Sequence, residues 1–472
     1  MQTTVTMNPR YKLALSDRLS GVSLRVRRAS MTTLMNGSLA ATRSLISIFT
    51  IAILVRYLGK ESYGLCLTIT GMVNWLGLTQ GGLGQSLKNE LIHTQIALGD
   101  AGGEACEGNV AATRLFSTAF VFLVILMTGT GLVLTLIAGV LPWPLILNYP
   151  DFYQDPRYLH LILTSLWIIL ITIPFSMVRA AYSAFQLEYK LSPYLIFGLF
   201  AGLLFFLIAI RTNAGQTVAI TSPLIANLVG LIVGAAFMPR ALGVRLRWSL
   251  VQFSVLRGLY RAGVWFLIME ASWVLIVQAD IFLVNLILGS GYATVFALHA
   301  QMFSYAQAAV LLLITPYWSA FGDAWRKGER AWLRSWVRRL AAASVGVTAC
   351  WLAAMQLAGR PLMERWSHGQ VEWNPLLALA IGANVLVQSV TGVYSTALGS
   401  LGIARDQGRM MVLQAILNVM VCYLLIRRLG VIGAALGSFI TYSLTSAWYI
   451  PFRLRLALRT SLRTPGRAGQ SA

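Results

Sequence analysis

The stretch LVRYLGKESYGLCLTI, Leu54 to Ile69, has a looser counterpart in LVNLILGSGYATVFAL, Leu283 to Leu298. Each joins two apolar runs through a Leu-Gly pair, Leu58-Gly59 or Leu288-Gly289, with a tyrosine, Tyr63 or Tyr292, just beyond. Leu-Gly reads as a helix end, because glycine accepts the left-handed conformation that closes helices, and tyrosine suits the depth where a membrane helix meets water. Two copies of one corner, about half a chain apart, read either as a duplicated unit or as a chance match of short apolar strings.

Composition agrees. Of 472 residues, 57% are hydrophobic and only 11% charged, the balance of a membrane chain. The net charge is +21, yet the basic residues sit between apolar runs rather than on one polar domain, which argues against nucleic acid as a partner. A bilayer core needs about 20 apolar residues per helix. That ruler finds about twelve spans, near 37–58, 63–87, 112–138, 158–178, 191–211 and 217–237, then 262–288, 292–318, 337–357, 375–398, 411–428 and 432–452.

Six spans per half is an even number, so both halves enter from the same side. The expected fold is all-α, with two parallel-related six-helix lobes around a central cavity, as in transporters whose halves move against each other. The expected divisions are a basic, partly amphipathic N-terminus (1–36), an N-terminal lobe (37–238), a basic linker (239–256), a C-terminal lobe (257–456) and a tail (457–472). With both termini inside, 28 basic residues fall on the inner side and 8 on the outer. The positive-inside bias therefore places both termini in the cytoplasm.

Residues 1–36 show no continuous apolar core of a signal peptide. Leu15, Leu19, Val22 and Val26 instead fall at helical spacing, with Arg18 and Arg25 available to another face. This segment reads either as an amphipathic helix on the inner leaflet or as a disordered basic leader. Cys66, Cys350 and Cys422 lie in different spans and Cys106 in a loop, so no disulfide framework or metal motif is expected.

YLGKESYG followed by MVNWLGLTQGGLGQSL resembles the first two helices of the polysaccharide flippases, the O-antigen and exopolysaccharide branch of the multidrug/oligosaccharidyl-lipid/polysaccharide exporter superfamily. ADIFLVNLILGSGYATVFAL, PYWSAFGDAWRKGERAWLRSWVRRL, LGSLGIARDQGRMMV and RRLGVIGAALGSFIT resemble later stretches of that family in the same order, and the likeness runs from about Asn36 to about Arg453. The resemblance implies a non-enzymatic flippase, without cofactor, that carries an undecaprenyl-diphosphate-linked oligosaccharide across the bacterial inner membrane. Its implied partners are the phospholipid bilayer and a polysaccharide polymerase with its co-polymerase. It transfers no catalytic residue.

Such a substrate needs a polar path through hydrocarbon. Phosphate seeks charge-assisted donors and sugars seek mixed donors and acceptors, so polar residues inside spans are the candidates. Arg43, about six residues into the first span, either contacts diphosphate, snorkels, or pairs with Glu270 of the matching helix. Glu270 and Asp280 both lie in the seventh span, about 80° apart around it. They are candidates for coupling to a proton or Na⁺ gradient, with Asp280 alternatively a polar contact at the outer end. Arg114 and Arg179 end spans at the cytoplasmic side, where they either meet a diphosphate entering from the inner leaflet or simply follow the positive-inside bias. His299 is a further coupling candidate, or a packing histidine. Gln80, Gln85, Gln301, Asn384 and Gln388, with Asn74 and Gln307, are possible sugar contacts or interhelical hydrogen bonds. Trp325, Trp332 and Trp336 predict an interfacial helix in the inner loop.

Three other functions remain open. A multidrug or metabolite exporter would share the spans. A lipid II flippase would usually carry two further C-terminal helices, where this chain has RLRLALRTSLRTPGRAGQSA. A membrane polymerase or acyltransferase would need clustered acid-base residues, and Asp151, Asp155, Glu364, His368 and Glu372 show no such spacing.

Overall fold

A computed structural model of the chain describes residues 9–460 except 81, 101–104, 151, 213–214, 316 and 402–403, and among these it contains sixteen α-helices and no strand. The first half comprises α1 (Pro9–Leu58), α2 (Lys60–Asn74), α3 (Leu83–Asp100), α4 (Ala105–Ala138), the short α5 (Trp143–Ile146), α6 (Pro156–Ala184), α7 (Glu188–Arg211) and α8 (Gln216–Leu242). The second comprises α9 (Leu256–Leu288), α10 (Ser290–Ile314), α11 (Tyr317–Arg326), α12 (Arg330–Trp366), α13 (Pro375–Ser400), α14 (Ala404–Leu429), α15 (Val431–Leu444) and α16 (Ser446–Thr460).

Among the described residues, 11 helical stretches are long and apolar enough to cross a membrane, with α15 and α16 together making the last. The span expected at 63–87 is absent from that set because it is broken. A 3₁₀ segment, Trp75–Gln80, separates α2 from α3. Gly71, Gly77, Gly81, Gly82 and Gly84 crowd this stretch, and each glycine weakens an α-helix by about 1 kcal/mol relative to alanine. α2 and the 3₁₀ segment still rise about 34 Å together, enough for a crossing. The last expected span is also interrupted, at Thr445 (φ −113°, ψ −89°).

Alternate crossings put the loops at two faces. One face carries the linker between α8 and α9 and the loops around α11, and is called the basic face here. The other carries Gly59 and Gly289, and is called the corner face. The two glycines match closely. Gly59 has φ 80° and ψ 163°, and Gly289 has φ 97° and ψ 168°. Their N–H groups donate to Val55 O (3.0 Å) and Asn285 O (2.9 Å), and their carbonyls accept from Tyr63 N (3.1 Å) and Ala293 N (3.3 Å). This region is essentially restricted to glycine, but with ψ extended it is not the left-handed helix end that the sequence suggested. The register also pairs Tyr63 with Ala293, not with Tyr292. Tyr63 is buried between the lobes, whereas Tyr292 is exposed beside Lys60, whose Nζ lies 5.9 Å from its ring.

A second repeated signal went unread in the sequence. Asp155-Pro156 opens α6 and Asn374-Pro375 opens α13. The Asp155 carboxylate accepts from Arg157 N (3.0 Å), and the Asn374 side chain accepts from Leu376 N (3.1 Å) and Leu377 N (3.0 Å). A side-chain acceptor followed by proline, whose φ is already helical, starts a helix at a defined residue. Packing repeats as well. α1 lies on α7, α4 on α6, α6 on α8 and α7 on α8; α9 lies on α14, α12 on α13, α13 on α15 and α14 on α15. The lobes meet mainly where α2 packs on α10 and α9, and α3 on α9.

The linker is strapped to the N-terminal lobe along α4. Thr113 Oγ1 accepts from Arg245 N (3.4 Å), Ser117 Oγ accepts from Arg247 N (3.0 Å) and donates to Arg245 O (3.3 Å), and Thr118 Oγ1 accepts from Gln252 N (3.1 Å). Extended backbone needs partners for these groups, and the hydroxyls supply them. Only the turn Phe253–Val255 then separates the strapped linker from α9.

Two expectations at the basic face change. The tryptophan-rich loop is not one helix, because Gly328 (φ +75°) turns the chain between α11 and α12. Trp332 and Trp336 still pack together (5.8 Å), with Arg330 5.1 Å from the Trp325 ring and Arg339 5.4 Å from Trp336. The backbone of α1 runs unbroken through residue 36, and the side chains of the proposed amphipathic stretch lie outside the described residues, as does the tail beyond residue 460.

Candidate functional site

Three adjoining cavities lie at the lobe interface and beside it. The first, about 560 Å³, sits toward the basic face and is lined by Gln80, Gln85, Lys88, Ser176, Arg179, Glu188, Glu270 and Trp273. The second, about 530 Å³ and within the N-terminal lobe, is lined by Arg43, Ser47, Thr50, Tyr63, Thr70, Asn74, Arg179, Ser222 and Asn227. The third, about 340 Å³ on the C-terminal side, is lined by Trp273, Asp280, Gln301, Ser304, Gln307, Asn384, Gln388, Ser438 and Tyr442. Arg179 joins the first to the second, Trp273 the first to the third, and Tyr63 the second to the third.

The N-terminal cavity is cationic. Arg43 and Arg179 both line it, and no carboxylate does among its described lining residues. Arg179 feels the charges of Arg43 and of Glu188, and Glu188 is held by Asn36 Nδ2 (3.1 Å), which ties α1 to α7. Two guanidinium groups on a wall with no acid among its described lining residues favour an anionic ligand, with Glu188 and Glu270 confined to the adjoining cavity that Arg179 shares, and planar guanidinium forks suit phosphate oxygens.

Glu270 is not the partner of Arg43. Its Oε1 accepts from Gln80 Nε2 at 3.1 Å, a bond between the N-terminal 3₁₀ segment and C-terminal α9. The break in the second span therefore places an amide across from a carboxylate at the lobe interface. Gln80 Oε1 accepts from Ser176 Oγ at 3.5 Å, which adds α6 to the group.

Asp280 is 6% exposed and is held from two other helices, α14 and α15. Ser438 Oγ donates to its Oδ2 at 2.6 Å, Asn418 Nδ2 to its Oδ1 at 3.3 Å, and Thr441 Oγ1 donates to Asn418 Oδ1 at 2.8 Å. Cys422 Sγ lies 3.6 Å from Ser438 Oγ. This buried carboxylate has no cationic partner among the described residues and is surrounded by hydroxyl, amide and thiol groups, an environment compatible with uptake of a proton or a small hard cation. Its location inside the C-terminal lobe differs from a contact at the outer end.

Two candidates fall outside the cavities. His299 is 0% exposed and stacked on Trp373 (5.0 Å). Its Nδ1 is 2.7 Å from Val295 O and its Nε2 accepts from Asn374 N (3.1 Å), which fixes a neutral tautomer and ties α10 to the start of α13. Both ring nitrogens are committed to backbone, so the geometry gives it a packing role. Arg114 lines none of the three cavities, and its Nε is buried without a partner among the described residues.

Sequence reading passed over Trp273, Asn227, Asn418, Ser438 and Tyr442. Asn418 and Ser438 carried a signal, being polar residues inside apolar runs, whereas Trp273 and Tyr442 look like ordinary packing residues in sequence.

At the corner face the lobes are closed. Asn285 Nδ2 donates to Leu147 O (2.7 Å), Asn148 Nδ2 to Asn285 O (3.3 Å), Thr294 Oγ1 to Lys60 O (2.5 Å), and Trp366 Nε1 to Ile48 O (2.8 Å).

No family model matches the chain, and no curated protein matches it by sequence. Solved structures do match in fold. The lipid II flippase MurJ in an inward closed conformation is similar over 89% of this chain and 87% of its own, at 11% identity and a TM-score of 0.67. An inward-facing multidrug resistance MATE family transporter of the MOP superfamily is similar over 88% of this chain and 96% of its own, at 12% identity and 0.65. An outward-facing one covers 93% and 97%, at 14% identity and 0.65. This chain therefore has the two-lobed, all-helical fold shared by multidrug resistance MATE transporters and the lipid II flippase MurJ.

Proposed function

We propose that the chain is a flippase that moves an undecaprenyl-diphosphate-linked oligosaccharide repeat unit across the bacterial inner membrane for surface polysaccharide synthesis. The supporting observation is the cavity lined by Arg43 and Arg179 with no carboxylate among its described lining residues. In this reading the basic face and both termini are cytoplasmic, the diphosphate reaches the arginines through the cavity of Gln80 and Lys88, and the polyprenyl tail stays in lipid. Opening of the corner face then releases the headgroup to the periplasm, where a polymerase and its co-polymerase consume it.

A second reading is export of an organic cation, favoured by Asp280 in a cavity that also holds Trp273 and Tyr442. Transport of lipid II is a third, favoured by the fold of MurJ. Deleting the gene separates them. The expected result is accumulation of a lipid-linked oligosaccharide on the cytoplasmic leaflet with loss of surface polysaccharide. Unchanged polysaccharide with increased drug sensitivity would establish the exporter, and arrested peptidoglycan synthesis would establish the lipid II reading.

Energy enters, in this reading, at Asp280. Asp280→Asn keeps the shape and removes the charge that a proton or Na⁺ would neutralise. Transport by the variant in liposomes is expected to lose its response to an imposed proton or Na⁺ gradient while substrate still binds. Gradient dependence equal to that of the native protein would place coupling elsewhere.

A further inference from the structure

The three cavities differ in chemistry, and the C-terminal one is the odd member. It contains no cation among its described lining residues, and its only charged lining group is Asp280. Its wall is largely apolar, and its uncharged polar groups include the amides and hydroxyl of Gln301, Ser304, Gln307, Asn384 and Gln388. Gln307 Nε2 donates to Gln388 Oε1 at 2.9 Å. That bond uses one donor and one acceptor and leaves the Gln307 carbonyl and the Gln388 NH₂ outside it.

Asn384 gives the decisive detail. Its Oδ1 has no hydrogen-bond partner among the described residues and, with the side chain as it stands, no open surface, so a turn of the Asn384 side chain is what presents this acceptor to the cavity the residue lines. A buried amide oxygen left unsatisfied is unfavourable, so the site is incomplete without a donor. Phosphate and carboxylate oxygens cannot donate. A sugar hydroxyl can, and it can also accept from a neighbouring amide. At the junction with the phosphate-facing cavity stands Trp273, 49% exposed, with ring surface free for the apolar face of a pyranose.

Resting on the flippase reading, we infer that the C-terminal cavity is a subsite for an uncharged sugar of the repeat unit, separate from the arginine cavity that takes the diphosphate. Asn384 accepts from a sugar hydroxyl, Gln388 and Gln307 extend the hydrogen bonding, and Trp273 supplies the stacking surface between the two subsites. A uronate in this position meets no cation and shares the cavity with Asp280, so the site selects against acidic sugars by leaving their carboxylates unpaired.

The test uses the full chain in nanodiscs and three synthetic polyprenyl diphosphates: one without sugar, one bearing a neutral disaccharide, and one bearing a disaccharide with a uronate. The neutral disaccharide is expected to tighten binding roughly tenfold over the sugar-free probe, the worth of one or two good hydrogen bonds and a stacked ring. Asn384→Leu and Trp273→Ala should each remove most of that gain, taken relative to the same variant's binding of the sugar-free probe, and a native-like thermal melt shows that both are folded. An equal gain from the uronate probe, or a gain that survives both substitutions, would overturn the subsite. Failure of the sugar-free probe to bind the native protein would instead sink the flippase reading beneath it. Trp273-dependent binding of tetraphenylphosphonium with no gain from either disaccharide would overturn the subsite in favour of an organic-cation site.

Discussion

Arg43→Ala is expected to abolish polysaccharide export while leaving the protein folded and inserted. Arg43 and Arg179 line one cavity, and a bidentate contact to phosphate is the strongest polar interaction available there. Hydrogen bonds to charged groups contribute about 1.5–3 kcal/mol each, so loss of the fork should lower transport by on the order of a hundredfold or more. Arg43→Lys should recover only part, because a point charge does not reproduce two parallel donors. Arg179→Ala should behave like Arg43→Ala. The alternative of a structural ion pair makes a different prediction, rescue by neutralising Glu270 as well. Since Glu270 is bonded to Gln80, combining Arg43→Ala with Glu270→Gln should give no rescue. Protein abundance and surface polysaccharide measured in the same strains decide the matter, and full export by an abundant Arg43→Ala protein would remove the arginine from the mechanism.

Charges in apolar runs were the most legible part of the site. A membrane span tolerates Arg43, Glu270 or Asp280 only if the protein interior uses it, and each of the three lines a cavity. Their partners were not legible. Gln80 reaches Glu270 across 190 residues, and that contact exists only because the 3₁₀ segment interrupts the second span. Ser438 and Asn418 reach Asp280 from two further helices, an arrangement that helical periodicity along one span does not encode. Tryptophan misled in the other direction. An aromatic residue in an apolar run has the same signature whether it faces lipid, a neighbouring helix or a cavity, so Trp273 gave no sign of its position.

The duplicated corner was visible because it needs a special backbone. Positive φ with extended ψ restricts Gly59 and Gly289 to glycine and so writes the turn into the sequence. The exact register was lost, because Tyr63 and Tyr292 look alike as letters and differ by one position in structure. That one position turns Tyr63 inward, where it joins two of the three cavities. Lobe pairing was likewise hidden, since α2 meets α10 through small residues and backbone, not through a motif of large side chains.

That meeting carries the second large effect. A Cβ placed on Gly64 would lie 1.8 Å from Ser290 O and 2.6 Å from Thr294 Oγ1. The first is a backbone atom at the start of α10, which a side-chain rotation cannot move aside. Gly64→Ala therefore forces α2 and α10 apart at the corner face, where Thr294 bonds Lys60 O and Asn285 bonds Leu147 O. The helices themselves tolerate alanine well, so the expected result is an inserted protein unable to close that face. On the flippase reading, export should fall to background, because alternating access held open on one side completes no cycle. Asn285 is 0% exposed when the face is closed. A cysteine at this position should resist a membrane-impermeant maleimide added from outside in the native background, and react readily when Gly64→Ala is also present. Normal export by Gly64→Ala, or a cysteine at position 285 equally shielded in both backgrounds, would mean that the approach of α2 to α10 is not the seal of the closed corner face.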